Sequence, residues 1–490
     1  MRRLLTLLLF PLLLCAQPLA DRIAETVRTS ATARRGVWGI HVVNLATGEA
    51  VFAYQQDHFF VPASTAKLFS TALALERLGP GYRFTTSILS THEPDANGRL
   101  AGDLRLTGGG DPTLSGRVYP YKKNAAAGNP LRAIEELADA VVARGVKRID
   151  GEIVGDDTAY VWEPYPAGRS QEDAVWDYGA PVSALTVNDN RISLVVRPGR
   201  RAGDPAQIRV SPALDYFVIE NRVVTVAGGK SNVRVDRSNG SRQLRVWGTI
   251  PAGAPPEGRS LAVDDPAQFA AATLWDALIR RGVQVIGRPV ARHRLPGESA
   301  PPRSAAASSG VELARHISPP LADILTVVNK ESQNLHAELL LEEVGRALGR
   351  EGSRAVGLEQ LGRFLAEAGV PLEEVQLVDG SGLSVLDMVT PQAMTRLLAY
   401  MDRSENRAAW MNSLAVAGEE GTLSQRFQED PAAKRIRAKT GTLSHTSAIG
   451  GYALTAGGDT FAFAILVNNY AAPASEVRAV IDRIGMLLVR

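Results

Sequence analysis

The 490-residue chain has a single cysteine, Cys15, and it sits inside the first apolar run. The rest of the chain therefore has no disulfide, no thiolate nucleophile and no cysteine-based metal site. Histidine is also scarce, with seven scattered residues and no H-E-x-x-H pair of the kind that binds catalytic zinc. Neither a metal nor another cofactor is expected. Lysine is also rare, eight residues against 46 arginines. A buried lysine can lose its proton and an arginine cannot, so the positions that kept lysine are candidates for chemistry. An excess of one charge is missing too. The 54 basic and 52 acidic residues become 52 and 52 once residues 1–20, with two arginines and no acid, are set aside. Phosphate binding needs clustered positive charge, so nucleic acid is excluded as a partner.

The N-terminal apolar run is too short to span a membrane. Met1-Arg2-Arg3 precedes Leu4–Leu14, apolar apart from Thr6, and small residues follow at Ala16 and Ala20. A spanning helix needs about 20 apolar residues. This layout is that of a secretory signal peptide over residues 1–20, cleaved after Ala16 or Ala20. Cys15 is a weak lipidation signal, because Leu14 stands where a small residue is expected. The chain is therefore expected to be exported to the periplasm or cell envelope, with no transmembrane anchor in its mature form.

What remains has the balance of a globular protein, 45% hydrophobic and 22% charged. Its length implies two or three domains. An amphipathic helix is expected over 21–35, then strands over 37–44 and 49–55 joined by a turn at Thr47-Gly48, then a helix from Ser64 to Leu78 stopped by Gly79-Pro80. From 84 to 293 short alternating runs dominate, such as Leu104–Thr107 and Ile192–Val196, with helical patterns only at 130–144 and 267–281. Residues 294–310 are polar and proline-rich, the pattern of a linker. Helices follow over 320–330, 333–349, 354–368 and 391–402. Strands are expected over 434–439, 445–455 and 459–468. A last helix over 474–488 carries Val477, Val480, Ile481 and Ile484 on one face. Its polar face is not strongly basic, which favours packing on a sheet over lying on a membrane. Both chain ends thus build one α+β domain from 21–83 and 311–490, an antiparallel sheet covered by helices. A large β-rich insertion of two subdomains occupies 84–293.

Three short motifs carry chemistry. Ser64-Thr65-Ala66-Lys67 puts a hydroxyl and an amine on one helix face. A serine needs a neighbour to take its proton, and a lysine with a depressed pKa can do so. Alone, the motif is equally an N-cap serine followed by a solvent-facing lysine. Ser332-Gln333-Asn334 offers a second hydroxyl and an amide, although Ser332 is also a plausible helix cap. Lys439-Thr440-Gly441-Thr442, at a strand end, offers a cation and hydroxyls for a carboxylate and a glycine for close backbone approach. A surface turn is the plainer alternative.

In this order the three motifs resemble those of penicillin-binding proteins and serine β-lactamases. The 268-residue separation of Ser64 and Ser332 is much longer than in a class A β-lactamase. It resembles the penicillin-binding protein 4 type of D-Ala-D-Ala carboxypeptidase/endopeptidase. So do Leu106-Thr-Gly-Gly-Gly-Asp-Pro-Thr-Leu114, Tyr178-Gly-Ala-Pro-Val-Ser-Ala-Leu185, Ser318-Pro-Pro-Leu321, Asn329-Lys-Glu-Ser332, Asp379-Gly-Ser-Gly-Leu-Ser384 and Gly418-Glu-Glu-Gly-Thr-Leu423. The resemblance implies a β-lactamase/transpeptidase-like catalytic domain acting on peptidoglycan peptides, with β-lactams as covalent inhibitors. It makes Ser64 the acylated nucleophile and Lys67 its base. Ser332 and Asn334 complete proton transfer and orientation, and Lys439 and Thr440 hold the terminal carboxylate. The backbone N–H groups of Ser64 and Thr442 form the oxyanion hole. Asp156, in Val154–Tyr160, resembles an acid that reaches the site, though an ordinary turn aspartate fits as well. Val385 stands where that family usually has arginine, which leaves the diamino acid of the stem peptide open. A β-lactamase would need a group that activates water, and no motif for one is evident. A non-catalytic muropeptide sensor would be expected to carry a transmembrane segment or partner module, and none is visible.

Overall fold

The computed structural model describes residues 17–299, 310–428 and 430–490. Its central sheet has six antiparallel strands in the order Ala415–Val416, Ile436–Leu443, Thr446–Leu454, Thr460–Asn468, Val37–Asn44 and Ala50–Tyr54. The two ends of the chain meet in it, with Val37 opposite Asn468 and Asn44 opposite Phe461.

Strand alternation decides which helix covers which face. In Thr460–Asn468 the larger residues Phe461, Phe463, Ile465 and Val467 point to one core. There they meet Ile23 of the helix Leu19–Thr29 and Val477, Val480, Ile481, Ile484 and Leu488 of the helix Ala474–Val489. Ala462, Ala464 and Leu466 point the other way, into a core with Leu68, Phe69, Leu73, Leu340, Met394 and Leu398. The alanines leave room for two helices to approach, Lys67–Leu78 and Pro391–Arg403. The second of these is opened by Pro391 at its first position and capped by Thr390, which accepts from the Ala393 N–H. The antiparallel sheet covered by helices on both faces is the α+β arrangement expected. The last helix packs on the sheet, and among the described residues no helix is long and apolar enough to cross a membrane.

The inserted region has its own continuous core. A five-stranded sheet of order Pro289–Arg294, Ile153–Val161, Leu104–Thr107, Thr85–Ser90 and Val311–Ile317 lies with a short parallel one, Gln284–Val285, Arg148–Ile149 and Arg99–Leu100. The helices Arg132–Ala143 and Pro266–Arg280 belong to this part. Two further three-stranded sheets follow, one of Val218–Val226, Gln243–Pro251 and Asn232–Asp236, the other of Glu257–Ala262, Arg191–Arg197 and Gln207–Ser211.

Several expected boundaries move. Val311–Ile317 pairs with Thr85–Ser90, so this strand belongs to the inserted sheet rather than to a catalytic segment starting at 311. Alternation within seven residues did not reveal a partner more than 200 positions away. Of the linker placed at 294–310, Arg294 ends a strand and residues 300–309 lie outside the described residues. Of the signal segment 1–20, residues 1–16, with Cys15, lie outside them as well, and Leu19 already begins the first helix. That helix stops at Thr29, with a separate 3-10 turn at Ala33–Arg35, instead of running through to 35.

Ile481 is buried between the last helix and the sheet. Ile481→Ala is expected to lose about 2–5 kcal/mol of stability, the usual cost of an aliphatic truncation in a packed core. Exposed Val218→Ala is expected to change it by less than about 0.5 kcal/mol. Denaturant unfolding of the two variants side by side checks this.

Candidate active site

The turn that carries Ser64 is set by its own backbone. Ala63 has φ of +48°, an uncommon value for a residue with a side chain. It bends the chain into a 3-10 turn, Ala63–Ala66, and the regular helix begins only at Lys67, three residues later than the pattern suggests. Two glycines from distant motifs hold this turn. A Cβ on Gly441 would lie 2.6 Å from the Pro62 carbonyl oxygen and 3.0 Å from the Ser64 nitrogen. On Gly382, at φ +76°, it would lie 1.9 Å from the Ala63 carbonyl oxygen. Only glycine fits either place. Gly441 thus seats the strand Ile436–Leu443 against the Ser64 turn.

Within the turn, Nζ of Lys67 lies 2.9 Å from Oγ of Ser64, 2.7 Å from Oδ1 of Asn334 and 2.6 Å from the Ser381 carbonyl oxygen. The ammonium form donates to all three. The free amine has two protons and a lone pair, so one contact must invert. The Ser381 carbonyl cannot donate, and Asn334 has its amide nitrogen turned away to the Tyr178 carbonyl at 2.8 Å. Ser64 is the partner with a proton to give. Lys67 is fully buried and its pKa is pushed down to about 7, chiefly by burial. Asp379 and Glu338 oppose that shift and Arg169 favours it.

A second lysine lies behind Ser332. Lys439 is also fully buried, and its Nζ donates to Oγ of Ser332 at 2.8 Å and to the Thr440 carbonyl at 2.7 Å. Burial, and then the charge of Lys67, hold its pKa well below the usual lysine value. Ser332 has φ of +63° and does not cap the helix Asn334–Leu348; the Gln333 side chain does, accepting from the His336 N–H. Oγ1 of Thr440 donates to Oγ1 of Thr422 at 2.7 Å, and Thr442 is exposed at the edge of the same strand. The Lys439–Thr442 motif lies inside the strand Ile436–Leu443 and not beyond its end.

The structure therefore brings Ser64, Lys67, Ser332, Asn334, Lys439, Thr440, Gly441 and Thr442 to one place through direct contacts or shared backbone. Asp156 does not join them. It is buried in the strand Ile153–Val161, accepts from the backbone and hydroxyl of Thr158, and faces Arg105 and Arg292 at 3.9 and 4.0 Å. Its partners are Thr158 and these two arginines, none of them a residue of the Ser64 cluster.

Four further residues join the site: Glu338 and Arg169 lie outside the quoted motifs, while Asp379 and Ser381 lie in the Asp379–Ser384 segment, which carried no assigned role. Ser381 offers its carbonyl to Lys67, and Asp379 shapes that loop by accepting from the N–H groups of Ser381, Gly382 and Ser384 at 3.1, 2.7 and 3.1 Å. Glu338 accepts from the Gly380 N–H at 2.9 Å. Arg169 reaches in from the inserted region to both carboxylates. Glu338 had a signal: it follows Asn334 by four residues on one helix and so shares its face. Arg169 had none. Among the described residues no group of three or more His, Cys, Asp or Glu side chains is placed to hold a metal ion.

Comparison with known proteins gives the family and the fold. The family model described as the D-Ala-D-Ala carboxypeptidase 3 (S13) family matches residues 19–488. A D-alanyl-D-alanine carboxypeptidase of an Actinomadura species is 34% identical over 449 residues, covering 89% of this chain and 79% of that protein. The D-alanyl-D-alanine carboxypeptidase DacB of Haemophilus influenzae is 26% identical over 437 residues, covering 88% and 85%. In fold, the crystal structure of penicillin binding protein 4 from Haemophilus influenzae superposes with a TM-score of 0.79 at 24% identity, covering 94% of this chain and 97% of that one. The chain belongs to the D-Ala-D-Ala carboxypeptidase 3 (S13) family and is a serine-type carboxypeptidase.

Proposed function

We propose that the enzyme removes the terminal D-alanine of peptidoglycan stem peptides through an acyl-enzyme on Ser64, also cleaves D-alanyl cross-links as an endopeptidase, and is inhibited covalently by β-lactams. The observation that carries this is the buried amine of Lys67 at 2.9 Å from the Ser64 hydroxyl. Oγ of Ser64 attacks the carbonyl carbon of the penultimate residue and its proton passes to the free amine of Lys67. The backbone N–H groups of Ser64 and Thr442 receive the oxyanion. The C–N bond breaks, and the proton taken up by Lys67 passes by way of the Ser332 hydroxyl, which Lys439 holds, to the departing amine, leaving Lys67 a free amine again. Water then gives a proton to Lys67 as it attacks the ester, and that proton returns to Oγ of Ser64 as the shortened peptide leaves. Asn334 keeps Lys67 in place. The charge of Lys439 and the hydroxyls of Thr440 and Thr442 provide for the terminal carboxylate.

Supporting the β-lactam part, penicillin binding protein 4 of Haemophilus influenzae has been crystallised in complex with a β-lactam. Such molecules present a strained amide to the same nucleophile. Export to the periplasm or cell envelope follows from the N-terminal pattern and from the substrate, which lies outside the cytoplasmic membrane.

Purified protein incubated with a pentapeptide muropeptide and with cross-linked muropeptide dimers should yield tetrapeptide and free D-alanine from the first and monomers from the second, by mass spectrometry. Ser64→Ala should yield neither. Intact cross-links beside full D-alanine release would remove the endopeptidase half of the proposal.

The state of Lys67 gives a pH dependence. Its amine is free above about pH 7 and protonated below. The acylation rate should therefore rise with pH through neutrality and fall about tenfold for each unit below the pKa. A rate flat down to acid pH, measured as second-order penicillin acylation, would exclude Lys67 as the base.

A further inference from the structure

One side chain of the inserted region, Arg169, ties three residues of the catalytic cluster together. Arg169 lies between the strand Ile153–Val161 and the 3-10 turn Gln171–Val175, and its side chain is only 5% exposed. Its Nη2 donates to Oε1 of Glu338, to Oδ2 of Asp379 at 3.1 Å and to Oγ of Ser381 at 3.0 Å, while Nε donates to Asp379 at 3.3 Å. The Glu338 and Asp379 side chains are fully buried, so both would be strongly destabilised without a cation. The two carboxylates in turn hold the backbone of 380–384. That segment presents the Ser381 carbonyl to Lys67 at 2.6 Å. The docking is reinforced by the Val385 N–H, which donates to the Gly168 carbonyl at 3.1 Å.

Resting on the acyl-enzyme proposed above, we infer that Arg169 is a positioning residue for Ser64 acylation: it ties Glu338, Asp379 and Ser381 into one unit that keeps the Ser381 carbonyl on Lys67 and offsets the carboxylate charge beside that amine. The inserted region is on this account part of the catalytic apparatus and not only a substrate-facing addition. The fork of arginine adds a second bond to Asp379 from Nε, beside the three contacts of Nη2, and a single ammonium group cannot make both bonds to Asp379 while reaching the other two partners.

The charges around Lys67 set the sign of the test. Asp379 and Glu338 face it from the 379–384 loop and from the helix Asn334–Leu348; Arg169 faces it from the insertion and Lys439 from the central sheet. Asp387, raised to about 9 by burial and by Asp379, is neutral near pH 7. Losing Arg169 leaves net negative charge beside Lys67 and favours its ammonium form. Losing the charge of Glu338 does the reverse.

The experiment is the pH profile of acylation by a fluorescent penicillin for the full-length mature enzyme and three variants. Arg169→Met should acylate at least about tenfold more slowly at neutral pH. Its acid limb should move to higher pH by about one unit. Glu338→Gln should move the limb to lower pH. Arg169→Lys should return the limb towards the wild-type position without recovering the full rate. Limbs that stay in place in both Arg169→Met and Glu338→Gln, beside a wild type that acylates normally, would overturn the inference alone. A wild type that takes no label at Ser64 would instead overturn the acyl-enzyme beneath it. Should Arg169→Met not fold, the direction of Glu338→Gln and the rate of Arg169→Lys decide the matter.

Discussion

Everything in the proposed catalytic centre depends on keeping one lysine amine out of water. A buried ammonium is costly, and the cost can be met by supplying partners or by shedding the proton. Lys67 is arranged to do both. Three oxygens satisfy its charged form, and burial brings the free amine within reach near pH 7. The nearby carboxylates pull the other way, and the balance between them and burial fixes where the amine titrates. The scarcity of lysine in the chain accords with this division of labour, since arginine serves for surface charge and could not serve here.

Holding that amine takes parts from across the chain. The Ser64 turn comes from the N-terminal segment, the amide from the start of the helix Asn334–Leu348, the carbonyl from the 379–384 loop and the second lysine from the central sheet. The backbones must come close for these side chains to meet. Gly441 and Gly382 allow this, each standing where a methyl group would collide with the Pro62–Ser64 backbone. The strained φ of Ala63 is the local consequence. Covering helices and terminal strands then bury the assembly. The insertion contributes Arg169 and the Tyr178 carbonyl, so it touches the chemistry at two points.

Much of this was legible in the sequence, for identifiable reasons. The helices Pro266–Arg280 and Pro391–Arg403 are bounded by Asp265 and Thr390 caps followed by proline, a local signal that survives folding. The strand Thr460–Asn468 carries an unbroken apolar run, Phe461–Val467, long enough to mark a strand buried on both faces. Ser64 and Lys67 could be paired because helical spacing is local. What could not be read depended on distant partners. Val311–Ile317 found its place only through Thr85–Ser90. The arginine neighbours of Asp156 are likewise distant in sequence or unmarked by it. Arg169 is one of 46 arginines, with nothing in its flanking residues to mark it as the partner of Glu338 and Asp379.

The central claim is that Ser64, activated by Lys67, becomes covalently acylated. Intact-mass spectrometry after exposure to benzylpenicillin tests it most directly. The account predicts one penicillin mass added to the wild type, mapped to the peptide containing Ser64, and no addition to Ser64→Ala or, on the same time scale, to Lys67→Ala. An unmodified wild type, or an adduct that persists in Ser64→Ala, would contradict it.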